Sequence, residues 1–244
     1  MRISLRIETK KEKRISIIVV AIFMILLIGC GIYINDYYQA DEAAQVAMES
    51  ELVQQSENYI TFHAENSKKG FIFYPGGKVE AEAYAPLMQA LSKEGIFCIL
   101  MEMPFNLAVL DIDAADGIQE TFPNIQQWYI GGHSLGGSMA ASYAAEHSED
   151  FEGLVLLASY STADLKESGL DVISIFGSED HVLNRMKYEE YTSNLPLDYQ
   201  EFVIQGGCHA YFGSYGPQEG DGTPTISSEA QIETTVLLLS EYIF

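Results

Sequence analysis

The sequence is short of positive charge and of cysteine. Of its 244 residues only 13 are Lys or Arg, against 35 Asp or Glu, for a formal net charge of -22. The few bases are also unevenly placed, with Arg2, Arg6, Lys10, Lys11, Lys13 and Arg14 all inside the first 14 residues. The other 230 residues hold 33 acids and 7 bases. Nucleic-acid binding needs clustered Lys and Arg, so a body this acidic excludes it. The acidity itself reads as a solubilising surface. Three cysteines, Cys30, Cys98 and Cys208, are too few for a disulfide framework. There is neither a CxxC pair nor a Cys/His cluster, so no zinc or other metal site is expected.

What is present begins with a basic head, residues 1–14, followed by an uncharged run over residues 15–34, ISIIVVAIFMILLIGCGIYI. As a helix those residues would extend roughly 30 Å, the thickness of a bilayer's hydrocarbon core. The positive flank is N-terminal and Asp36 follows the run, so the expected orientation leaves the head in the cytoplasm and the acidic body outside. The segment has a second reading. Leu27-Ile28-Gly29-Cys30 resembles a bacterial lipoprotein box, in which Cys30 would be lipidated after cleavage. The apolar run continues past Cys30 through Ile32, Tyr33 and Ile34, which favours an uncleaved transmembrane anchor. Residues 35–57 are rich in helix formers with little apolar surface and read as a helical stalk.

From residue 58 to 244 short apolar runs alternate with helical patterns. Strands are expected over 59–63, 71–74, 96–100, 128–132, 154–158, 172–176 and 199–204, and helices over 81–93, 113–122, 135–146, 184–194 and 227–242. Runs such as LVLLA and VISIF lack polar alternation, as strands covered on both faces do. Strand and helix in alternation imply an α/β fold, a doubly wound and mostly parallel sheet flanked by helices. In such sheets the site lies beyond the carboxyl ends of the strands.

The strongest chemical signal is Gly132-x-Ser134-x-Gly136, between an expected strand and an expected helix. A serine at a sharp strand-to-helix turn needs small neighbours, and its hydroxyl stands exposed at the top of the sheet. A serine is a poor nucleophile without a base. Of the five histidines, His209 alone combines the last place in the chain with a glycine-rich loop after a strand, Gly206-Gly207-Cys208-His209. The acid should fall between serine and histidine, where one strand runs into Gly177-Ser178-Glu179-Asp180. Asp180 is the first choice and Glu179 the second. An oxyanion hole needs two backbone donors: the Leu135 amide, after the nucleophile, and one from the loop Pro75-Gly76-Gly77-Lys78, assigned to Gly77 or Lys78.

These pieces together, YPGGKVEAEAYAPL, GGHSLGG, LVLLASY, FGSEDHVLN and GGCHAYFGSYG, resemble the α/β-hydrolase superfamily. The likeness is to its compact dienelactone-hydrolase-like members, with the α/β-hydrolase family 5 domain, and it runs over residues 70–216. It implies Ser134, Asp180 and His209 as a triad, and neither a metal nor an organic cofactor. Only residues 159–169 separate two of the expected strands after the nucleophile helix, too few for a lid domain. The implied activity is hydrolysis of a small-molecule acyl substrate, a carboxylic ester ahead of an amide or thioester. Acyl transfer to another acceptor is one alternative. A non-catalytic binding protein on the same scaffold is another, which the intact Ser, Asp and His disfavour.

Overall fold

The computed structural model describes residues 10–244. It divides into two compact units, one ending at Tyr37 and the other running Tyr38–Phe244. In the first, helix α1 spans Lys10–Asn35, and Asn35 closes its end by donating its side-chain amide to the Gly31 carbonyl at 2.8 Å. Ile17, Ile18, Val19, Val20, Phe23 and Ile25 are exposed along it. Its opening turn is charged, with Lys10, Lys11, Lys13 and Arg14. Counted over the described residues, no helix is long and apolar enough to cross a membrane, which departs from the expected single spanning helix. Residues 1–9 of the expected basic head, and the Cys30 side chain proposed for lipidation, lie outside the described residues.

The second unit is built on an eight-stranded sheet in the order β1-β2-β4-β3-β5-β6-β7-β8. The strands are β1 Val53–Gln55, β2 Tyr59–Phe62, β3 Lys69–Tyr74, β4 Phe97–Met101, β5 Gln127–His133, β6 Gly153–Leu157, β7 Asp171–Gly177 and β8 Gln200–Ile204. β1 pairs with β2 and β2 with β4 antiparallel. Every pairing from β4 to β8 is parallel. The helices of this unit are α2 Glu42–Met48, α3 Ala85–Lys93, α4 Ile118–Thr121, α5 Leu135–Glu146, α6 Arg185–Tyr191 and α7 Ser228–Tyr242.

Side chains alternate across a strand, and this sheet buries both sets. Phe71 and Phe73 of β3 pack in one core with Leu87 and Met88 of α3 and Val236 and Leu239 of α7. Ile72 and Tyr74, their neighbours in sequence, pack in the other with Ala140, Ala141 and Ala144 of α5. The small residues of α5 let that helix lie close to the sheet. Thirteen residues without an α-helix, 158–170, join β6 to β7, so that connection carries no lid domain.

Two expectations need correction. Residues 38–57 are no free stalk. Asp41 caps α2 by accepting the Ala44 N–H at 3.1 Å, Ala44 and Ala47 are buried, and β1 adds the edge strand. Alanines carry little apolar surface, yet their size is what lets α2 seat. Tyr38 donates its N–H to the Lys78 carbonyl at 2.8 Å and accepts the Glu80 N–H at 2.9 Å, while Asp41 donates to the Ser214 carbonyl at 2.9 Å. The helix expected over 113–122 shrinks to α4. Gly117, at φ 74°, holds a left-handed turn at its start that a continuous helix could not contain.

Candidate active site

Ser134 sits between β5 and α5 with φ 52° and ψ −121°, a conformation that costs a non-glycine residue about 1–3 kcal/mol. The surroundings hold it there. Its N–H is donated to the Leu157 carbonyl at 2.9 Å, and its carbonyl accepts the Ser159 hydroxyl at 2.7 Å. The turn closes only because its flanks are bare. A Cβ on Gly132 would lie 2.5 Å from the Tyr74 carbonyl oxygen, and one on Gly136 would collide with the carbonyl of Pro75.

Asp180 and His209 come from loops after β7 and β8 and meet. His209 Nδ1 lies 2.9 Å from Asp180 Oδ2, with both side chains sealed from solvent. The other carboxylate oxygen, Oδ1, accepts the Val182 and Leu183 N–H groups at 2.9 and 2.8 Å. An ionised carboxylate only accepts, so Nδ1 carries the shared proton and Nε2 keeps its lone pair. Nε2 is buried without a hydrogen-bond partner, and His209 lines a cavity of about 250 Å³ together with Ser134, Leu135, Tyr160 and Leu183. Glu179 takes no part in the pair: its carboxylate accepts the Ser178 hydroxyl at 2.9 Å. His181, beside Asp180, is exposed. A larger hollow of about 430 Å³ beside Lys68, Phe97 and Phe122 lies at the opposite, amino-terminal ends of β3 and β4. None of its lining residues forms an acid–histidine pair.

The oxyanion candidates separate. Lys78, at φ 60°, donates its N–H to the Asn106 carbonyl at 2.7 Å, so that amide is already committed. Gly76 donates its own to the Tyr84 hydroxyl at 3.0 Å. Gly77 is left as the loop's candidate donor. Its backbone adjoins the elbow, since a Cβ there would meet the Leu135 side chain at 2.9 Å.

Several supporting residues carry no signal in sequence. Gln231 of α7, fully buried, accepts the Cys208 N–H at 2.9 Å and donates to the Cys208 carbonyl at 2.8 Å, gripping the residue before His209. Asp221 accepts the Ala210 N–H at 2.9 Å on the other side. Burial opposes ionisation of Asp221, but the Ala210, Gly222 and His209 amides outweigh it and hold its pKa below the usual value. Burial first, then the charge of Asp221, pushes the pKa of the Cys208 thiol up to about 12, which disfavours the thiolate form that a cysteine nucleophile needs. Among the described residues, no group of three or more His, Cys, Asp or Glu is placed to hold a metal ion.

A model of the alpha/beta hydrolase family matches residues 70–233. The chain belongs to that family. Among solved structures this hydrolase is similar to a dienelactone hydrolase from Anabaena variabilis, at 15% identity, covering 79% of this chain and 97% of that one, with a TM-score of 0.58. It is similar to a CIB-like hydrolase from Thermoplasma acidophilum at 15% identity, covering 79% and 98%, with a TM-score of 0.56. It is also similar to carboxyl esterase 2 from the fungus Tuber melanosporum, at 10% identity, covering 86% and 92%, with a TM-score of 0.60. At these identities the likeness is one of fold. No curated protein matches the hydrolase by sequence.

Proposed function

We propose that this hydrolase is a serine esterase that cleaves small carboxylic esters through an acyl-enzyme. The observation that carries the reading is the buried Asp180–His209 pair, whose free Nε2 belongs to a residue lining the same cavity as Ser134. His209 takes the Ser134 proton as the oxygen attacks the ester carbonyl. Asp180 keeps the imidazole in the tautomer that can accept it and stabilises the imidazolium that forms. The Leu135 and Gly77 amides receive the developing oxyanion. The proton then passes from His209 to the leaving alcohol, and water attacks the acyl-enzyme by the same route in reverse.

The cavity favours a short, neutral acyl group. Its volume is about 250 Å³ and no Lys or Arg is among the described residues lining it, so no side-chain cation there would pair with a carboxylate. The test is fluorophosphonate labelling of Ser134, followed by a series of p-nitrophenyl esters. Acetyl to butyryl esters are expected to give the highest kcat/KM, falling at least about tenfold by octanoyl, since a pocket discriminates by about that much per misfitting methylene. A preference for dodecanoyl esters would overturn the small-substrate reading. An unlabelled serine would overturn the mechanism.

We further propose that the protein is held at the cell membrane by one pass of its N-terminal segment, with the hydrolase domain outside the cytoplasm. The support is in the sequence, a basic head followed by 20 uncharged residues; no helix among the described residues is long and apolar enough to cross a membrane. Protease added to intact cells is expected to digest the domain. Digestion only after lysis would reverse the topology, and the mass of the mature N-terminus distinguishes an intact segment from a lipidated Cys30.

A further inference from the structure

Among the buried polar side chains that the catalytic steps leave unused are Tyr84 and His133, and these two touch. The Tyr84 hydroxyl lies 2.7 Å from His133 Nδ1 and also accepts the Gly76 N–H at 3.0 Å. Both residues are sealed from solvent. The His133 ring stands 4.5 Å, centroid to centroid, from the ring of His209, tilted by 51°. Phe212 covers it at 5.7 Å. One tyrosine oxygen and one imidazole therefore bridge from the loop that carries Gly77 to the catalytic histidine.

The direction of the hydrogen bond follows from counting partners. If Tyr84 donates to Nδ1, its oxygen still accepts from Gly76, and the only unmatched atom is His133 Nε2, which has no partner. If Nδ1 instead donates to Tyr84, both the hydroxyl proton and the Nε2 lone pair are buried unmatched. Unmatched buried polar groups are costly, so the first arrangement is preferred. Burial keeps the Tyr84 hydroxyl protonated, as a donor must be. Burial, then the neighbouring His209, keeps His133 neutral, and the His209 backbone offsets this only in part. A neutral His133 puts no second cation against His209 when that ring accepts the serine proton.

Resting on the serine-esterase reading, we propose that Tyr84 and His133 form a hydrogen-bonded strut fixing the oxyanion loop and the His209 ring in mutual register. They are positioning residues, acting through Gly76–Gly77 on one side and His209 on the other. Their work falls on the transition state, when the oxyanion and the imidazolium develop together. Loss of the strut lowers kcat and leaves KM nearly unchanged.

The test has two arms on the full chain. In the first, nitrogen-15 NMR of the wild-type protein is expected to find His133 neutral and protonated at Nε2. A proton on Nδ1 would overturn the strut without any variant being made. In the second, Tyr84→Phe, His133→Phe and the double variant are compared by kcat per fluorophosphonate-titrated site. Each single change is expected to cost between about tenfold and a hundredfold, the scale of small misplacements at a reacting centre. The double variant is expected to be no worse than the more impaired single, because both break one linkage. A role in packing alone would lower the melting temperature and leave kcat per site intact, which would overturn the proposal. Multiplying effects in the double variant would do the same. Absence of labelling in the wild type would remove the esterase reading instead, and the NMR arm would still report on the hydrogen bond.

Discussion

Ser134→Ala is expected to reduce ester turnover by on the order of 10⁶, to the level left by binding and the oxyanion donors alone. On the proposed mechanism the change removes the oxygen that forms the acyl bond, so neither longer incubation nor higher pH restores the rate. The variant is expected to fold. The serine hydroxyl is not what holds the turn: that is done by the Ser134 N–H on Leu157 and by the Ser159 hydroxyl on the Ser134 carbonyl, and both survive the change. Alanine keeps the same strained backbone. The measurement is turnover of a short-chain ester together with fluorophosphonate labelling, on protein checked by thermal melting. Full activity or full labelling in Ser134→Ala would move the nucleophile elsewhere.

Asp180→Asn is expected to lower kcat by about 10⁴ near neutral pH, the cost seen when a triad carboxylate becomes an amide. The reason is specific to the contacts. Oδ1 takes two backbone N–H groups, from Val182 and Leu183, so an asparagine would place its oxygen there and turn its NH₂ toward His209. Facing a donor, Nδ1 must become the acceptor, and the ring's proton moves to Nε2. The base then presents a hydrogen to the serine instead of a lone pair. Glu179→Gln is expected to leave kcat near wild type, because Glu179 bonds to Ser178 and not to the histidine. The reverse result, a crippled Glu179 variant beside an active Asp180 variant, would reassign the acid.

The elements most legible in the sequence are those whose physics is local. VISIF lies within β7, and LVLLA follows β6 to its last residue, Leu157, with Ala158 just beyond; both read as buried strands because both faces of the sheet are covered. The elbow was legible because only small residues survive where Gly132 and Gly136 meet the end of β3. β1, with sequence VQQ, was not, since an edge strand of two glutamines has no apolar signature. The helix overread at 113–122 shows the opposite failure: helix formers there are overruled by a single glycine in a left-handed turn. Within the site, Asp180 could be ranked above Glu179 but not separated from it, because both follow the same strand. Gln231, Asp221 and Tyr84 were unreadable, since each acquires its role from a residue distant in sequence, 23, 11 and 49 positions away. The commitment of the Lys78 amide to Asn106 was hidden for the same reason.

The way residues 38–55 close onto the body bears on how this protein can be shortened. A fragment begun at residue 58, where the regular strand and helix alternation starts, would lose β1 and bare the outer margin of β2, whose Ile60, Thr61 and Phe62 are buried in the intact chain. A bared strand margin is a template for pairing with other molecules, so such a fragment invites aggregation. It would also lose the stitches from Tyr38 to Lys78 and Glu80 and from Asp41 to Ser214, slackening both loops that flank the reacting centre. Insolubility and inactivity would then arrive together from one cut and be mistaken for properties of the enzyme. The safe boundary for a trimmed protein lies before Tyr38.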